Sequence, residues 1–192
     1  EKIIKNKKIK FTYIGRFSEK KGVEKLIESF SKMLANNKNI ELVICGSGYL
    51  KNDYIQLVAS LGIEDNVIIS ENFLYPPQLK YIYNISNFIV IPSIITNEGD
   101  SEGLPVVLLE SLYFGKVTIA STQSNAQEII KNKKDGFTFN SNNKNDLDKL
   151  MKEILENKYD LKEIEENAKT IGSRYISENI AKIHHEHLFY KN

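Results

Sequence analysis

Two carboxylates, Glu102 and Glu110, stand with seven residues between them at either end of the apolar stretch "GLPVVLL". Apolar runs bury themselves, and a buried carboxylate is costly unless hydrogen-bond donors satisfy it. Acids so placed suit the binding of hydroxyl groups on a polyol. A second group of chemically capable residues is "GRFSEKKG", Gly15 to Gly22. Arg16 and Lys21 in this stretch can bind phosphate, Arg through its planar fork and Lys as a point charge. Lys20 carries the same charge without a comparable claim to the role.

The segment "LPVVLLESLYFG" reads as a helix. Pro105 suits its first position and Gly115 the position just past its end, and twelve residues are long for a strand. Apolar nearly all round, the helix is expected to be deeply buried. Its N-terminus offers N–H groups and a partial positive charge to an anion such as a diphosphate. Gly103 would let a ligand come close to the backbone. Glu102, beside that point, could accept from one set of hydroxyls and Glu110, mid-helix, from another. A ligand with phosphate in the middle and diols on both sides fits this layout, as a nucleotide-sugar does. The alternative is that Glu102 is only a helix-start acid and Glu110 faces solvent along a polar stripe with Ser111. Arg16 and Lys21 could likewise form a solvated charge cluster, although cations at a helix N-terminus oppose its dipole.

These residues need elements to position them. "IKFTYIG" reads as a strand ending at glycine, followed by a helix across "EKKGVEKLIESFSKMLANN" with Val23, Leu26, Ile27, Phe30 and Leu34 at helical spacing. "IELVICG", "NVIIS", "NFIVIPS", "KVTIAS" and "GFTF" are further strands. "LKNDYIQLVASLG", "PPQLKYIYNIS" and the short "NAQEIIK" are helices between them, and the chain is helical from Asn143 onward in three pieces, with breaks near Asp160 and Ser177. Alternating strands and helices imply an α/β fold, a doubly wound parallel sheet with helices on both faces. Ligands in such sheets sit at the carboxyl ends of the strands.

With 192 residues, 41% of them hydrophobic and 27% charged, the chain fits one folded domain, and no repeat or linker divides it. A net charge of +1 gives no nucleic-acid footprint. The single cysteine, Cys45, forms no disulfide framework and reads as a small core residue. The "CGSG" turn containing Gly46 is weak evidence for a nucleotide site, since close packing alone would explain it. His184, His185 and His187 have no further ligand beside them to make a metal site. Tyr and Phe recur at core spacing and read as packing. No stretch is apolar for long enough to span a bilayer.

"GRFSEKKGVEKLIESF", "LVICGSG", "VIPS" and above all "EGLPVVLLE", in that order, resemble the C-terminal, donor-binding domain of retaining GT-B glycosyltransferases, glycosyltransferase family four (glycosyl transferases group 1). The resemblance runs from about Ile9 to the final helix. It implies a Rossmann-like domain that binds a nucleoside-diphosphate sugar. It matches Arg16 and Lys21 to the diphosphate-binding pair, Glu102 to the glutamate on the donor sugar and Glu110 to the glutamate on the ribose. It implies catalytic roles for Arg16, Lys21 and Glu102. Gly46, Phe73, Leu74, Gly103 and Leu104 complete the donor-contacting set, with residues 72–75 near the base. No metal or other cofactor is implied. The loop "STQSNAQEII" departs from the family's glycine pair and proline, though Glu128 is retained.

The resemblance further implies a reaction that keeps the anomeric configuration, with a glycan or lipid-linked acceptor held by an N-terminal domain that would precede residue 1. The 192 residues would then be a single donor-binding unit, inactive in transfer when isolated. It implies bacterial surface polysaccharide synthesis in the cytoplasm at the inner face of the plasma membrane, with peripheral membrane association of the full-length protein. A non-catalytic nucleotide-sugar-binding module and a sugar-nucleotide epimerase of the same architecture are the alternatives. A phosphorylase would need a lysine motif for pyridoxal phosphate, which the sequence does not show.

Overall fold

The computed structural model describes residues 8–70 and 76–175. Six strands make one sheet: β1 (Ile9–Ile14), β2 (Ile40–Cys45), β3 (Val67–Ser70), β4 (Phe88–Ile91), β5 (Val117–Ser121) and β6 (Phe137–Phe139). Every pairing is parallel, and the spatial order is β3-β2-β1-β4-β5-β6. The connecting helices are α1 (Val23–Leu34), α2 (Lys51–Ser60), α3 (Pro76–Ile85), α4 (Val106–Tyr113), α5 (Asp146–Leu155) and α6 (Leu161–Tyr175). This is the Rossmann-like doubly wound sheet expected from the alternating pattern.

The strands bury both faces because side chains alternate along them. Phe11, Tyr13, Phe88 and Val90 enter a core with Leu26, Ile27 and Phe30 of α1 and Met151 of α5. The intervening Ile89 and Ile91 enter a second core with Tyr83, Leu108, Leu112 and Ala168. The Phe11 and Phe88 rings stack at 4.9 Å across the β1–β4 pair. Burying such large rings on neighbouring strands locks the register at the centre of the sheet.

Several boundaries differ from the sequence reading. Gly22 adopts φ 63 and separates a 3₁₀ turn, Glu19–Lys21, from α1, so the helix starts at Val23 and Lys21 lies in the loop ahead of it, as expected. The expected short helix at "NAQEIIK" is a single 3₁₀ turn, Ala126–Glu128, separated from a preceding turn, Thr122–Ser124, by Asn125 at φ 53. Pro105 is extended, at ψ 133, and caps α4 from outside it. The expected third C-terminal helical piece and the three histidines lie outside the described residues. Among the described residues no helix is long and apolar enough to cross a membrane.

The strand order reverses between β1 and β4. Their connections leave in opposite directions, which opens a crevice at their carboxyl ends.

Candidate active site

That crevice is a cleft of about 650 Å³. Its walls carry Arg16, Lys21, Gly46, Glu102, Gly103, Leu104 and Glu110. These residues come from three loops and one helix, and the parallel sheet is what brings them together. Phe73 and Leu74 lie outside the described residues.

The basic wall is the loop after β1. The Tyr13 hydroxyl donates to the Arg16 carbonyl at 2.6 Å and fixes the loop against the strand that precedes it. The Phe17 N–H donates to the Ser47 carbonyl at 2.8 Å, tying this loop to the turn after β2. Backbones here come very close: a Cβ on Gly46 would lie 1.8 Å from the Gly15 carbonyl oxygen. Close packing therefore requires Gly46, and the same residue also lines the cleft.

The acidic wall is the loop before α4. It is laced to the basic wall at three points. The Ile94 N–H donates to the Lys20 carbonyl at 2.9 Å. The Lys20 ammonium pairs with Asp100 at 3.1 Å. The Lys21 ammonium pairs with Glu102 Oε1. Ser93, fully buried two residues beyond β4, donates through its hydroxyl to Glu102 Oε2. Both oxygens of Glu102 are thus engaged, which holds the carboxylate at one place on the cleft wall. The Lys21 ammonium is lowered to about 8, first by burial and then by the neighbouring Arg16 and Lys20 cations. The neighbouring cations raise the cost of the Lys21 charge, and an anion placed beside it relieves that cost.

Glu110 projects from the middle of α4 onto the same cleft. The Tyr83 hydroxyl of α3 donates to its Oε2 at 2.8 Å. The polar stripe that would have turned Glu110 to solvent does not exist. Ser111 is fully buried and hydrogen-bonds Thr118 Oγ1 at 2.6 Å and the Leu108 carbonyl at 2.9 Å. Nor is α4 buried all round: Leu108 and Leu112 face the core, while Val106 and Tyr113 are 43% and 48% exposed. An apolar residue such as Val106 is left uncovered because it walls an open cleft and not a core. No side chain caps the start of α4. The Leu108 N–H donates to the Pro105 carbonyl at 3.0 Å, which leaves the Val106 and Val107 N–H groups available to an anion. A Cβ at Gly103 would meet nothing within 4 Å, so no protein neighbour accounts for the glycine there.

Cys45 lies on the cleft floor. Burial pushes its thiol up to about 11, which leaves it a protonated core residue. Among the described residues no three His, Cys, Asp or Glu side chains gather where they could hold a metal. The arrangement can bind an anion between Arg16, Lys21 and the start of α4 and accept hydroxyls at Glu102 and Glu110. Sequence reasoning missed Ser93 and Tyr83. Ser93 ends the quoted "VIPS", but only the fold places it under Glu102. Tyr83 has core spacing and does pack, yet its hydroxyl is used as well.

Comparison with known proteins gives the family and the fold. The family model described as "Glycosyl transferases group 1" matches residues 1–171. The chain is 31% identical over 160 residues to an undecaprenol-diphosphate-glycan α-1,4-N-acetyl-D-galactosaminyltransferase of Campylobacter jejuni, covering 82% of this chain and 41% of that protein. The chain spans less than half the length of the curated relatives it matches, 30% to 42% of three of them. In fold it is similar to the C-terminal domain of a glycosyl transferase group 1 family protein from Francisella tularensis, with TM-score 0.73, 18% identity and coverage of 90% of this chain and 86% of that one. Anabaena HepE, solved in complex with UDP, has TM-score 0.75 and 20% identity over 92% of this chain and 48% of its own. A six-stranded parallel sheet with its cleft at the β1–β4 reversal, matched by one family model over most of its length, places this chain in the group 1 glycosyltransferase family.

Proposed function

We propose that the β1–β4 cleft binds a nucleoside-diphosphate sugar and that the chain is the donor-binding half of a retaining glycosyltransferase of family four. The observation that carries this reading is the convergence of Arg16, Lys21, Glu102 and Glu110 on one cleft. Arg16 and Lys21 hold the diphosphate, assisted by the backbone at Gly103 and Leu104. Glu102 accepts from hydroxyls of the donor sugar, a hexose, and Glu110 from the ribose. Gly46 lets the ligand approach the floor, and residues 72–75, with Phe73 and Leu74, meet the base.

In the transfer step the bond between the sugar's anomeric carbon and the diphosphate oxygen breaks, and its electron pair leaves on the phosphate. Arg16 and Lys21 neutralise that growing charge in a site partly shielded from water. The acceptor hydroxyl attacks the anomeric carbon on the face the phosphate leaves, and the departing phosphate oxygen takes its proton. Two side-chain cations supply the charge compensation, so the reading calls for no metal. The acceptor is a glycan or lipid-linked glycan bound by a separate N-terminal domain, in the synthesis of bacterial surface polysaccharide at the cytoplasmic side of the membrane. The galactosaminyltransferase relative, whose named acceptor is a PP-undecaprenol-linked glycan, supports that class of acceptor.

Glu102 tests the reading. In the free protein its charge is spent on Lys21. Removing that charge frees the ammonium for phosphate while taking away the acceptor for sugar hydroxyls. Calorimetry on Glu102→Gln should show uridine diphosphate bound at least as tightly as by the wild type. UDP-glucose should lose roughly tenfold, the order of one charged hydrogen bond. Equal losses for the two ligands would remove Glu102 from the sugar.

A further inference from the structure

We propose that Tyr83 is the positioning residue for Glu110, holding one carboxylate oxygen so that the other is presented to the ribose diol. The inference rests on the reading of Glu110 as the ribose acceptor and goes beyond it to a residue of a different helix. Tyr83 is fully buried, and a buried phenol must find a partner for its hydroxyl. It finds Glu110 Oε2 at 2.8 Å. Its ring stacks on Phe114 at 4.7 Å with planes 12° apart. The ring therefore cannot swing, and the hydroxyl marks a fixed point to which the carboxylate is tethered.

Among the described residues Oε1 of Glu110 receives no hydrogen bond, while the residue lines the cleft. One oxygen is anchored and the other remains for ligand. Burial, followed by the nearby Glu110 charge, raises the Tyr83 hydroxyl well above its usual range. It stays protonated and remains a donor at any working pH. A carboxylate on a rotatable side chain loses freedom when it binds, and restraining it beforehand lowers that cost. Tyr83 also stands on α3, the helix that begins directly after residues 72–75.

The test must separate positioning from mere packing. Tyr83→Phe keeps the stacked ring and removes only the hydroxyl. Calorimetry would compare the 192-residue chain, Tyr83→Phe and Glu110→Gln against uridine diphosphate and its 2′,3′-dideoxy form. The same pairs of guanosine and adenosine diphosphate serve if uridine binds poorly. The readout is the ratio of the two dissociation constants, in which any loss of folded protein cancels. The wild type should prefer the ribose form by roughly tenfold or more, the scale of hydrogen bonds to a charged group. Glu110→Gln should bring the ratio close to one. Tyr83→Phe should reduce it by about threefold or more. A wild-type ratio in Tyr83→Phe, with the ratio lost in Glu110→Gln, overturns the proposal and leaves the site reading intact. A ratio that Glu110→Gln does not change, or no binding of any of these diphosphates by the wild type, overturns the site reading itself.

Discussion

Lys21 holds a charge in the cleft that ordinary pH can remove. Its ammonium is lowered to about 8 by burial and by Arg16 and Lys20. The sign follows directly. A bound diphosphate favours the protonated ammonium, so its affinity is full below pH 8 and falls above it, by at most about tenfold per pH unit. Calorimetry with uridine diphosphate between pH 7 and 9 should show this decline in the wild type. Lys21→Arg should flatten the profile, and an unchanged decline in that variant would assign the titration to another group. At this scale the sequence was legible where charge and spacing speak. Arg16, Lys21, Glu102 and Glu110 do share one cleft. Ser93 and Tyr83 were not legible as part of it, because a serine just beyond a strand and a tyrosine on a core face are ordinary. What sets them apart is the carboxylate each one meets, and those carboxylates are 9 and 27 residues away.

At the scale of elements, α4 is the part that matters, and α6 holds it. Gly172 lets the two helices meet backbone to backbone. A Cβ there would lie 2.4 Å from the carbonyl carbon of Leu112 and from the Tyr113 nitrogen. Gly172→Ala should therefore force α6 away and cost about 1–3 kcal/mol, as overpacking usually does. Thermal denaturation would show it as a drop of roughly 2–4 °C per kcal/mol for a chain of this size. Ser173→Ala, one exposed position along, should change little. Because α4 carries Glu110, the Gly172 variant should also weaken nucleoside diphosphate binding. The boundaries that sequence reading misplaced have physical causes of the same local kind. Gly22 and Asn125 adopt left-handed backbone, which delays the start of α1 and separates two 3₁₀ turns.

For the whole molecule, function follows from the reversal of strand order. A sheet ordered β3-β2-β1-β4-β5-β6 has one such reversal, between β1 and β4, and the cleft lies there. If this domain binds donor without help, a nucleoside diphosphate at a hundred times its dissociation constant should stabilise it by about 2.7 kcal/mol. The melting temperature should then rise by roughly 5–10 °C. The same preparation, given UDP-glucose and a glycan acceptor, should transfer no sugar. A flat melting temperature would favour a scaffold, and brisk transfer would sink the proposed division of labour between two domains.

The sequence by itself determined the alternation of strands and helices, because periodicity and glycine stops are written locally along the chain. It also determined which residue types could hold phosphate and hydroxyls. Only the tertiary structure decided that Lys21 spends its charge on Glu102, that Ser93 and Tyr83 each anchor a carboxylate, and that α4 leaves Val106 facing the cleft. Such contacts join residues up to 81 positions apart, and only packing of the sheet and its helices brings them within hydrogen-bond reach.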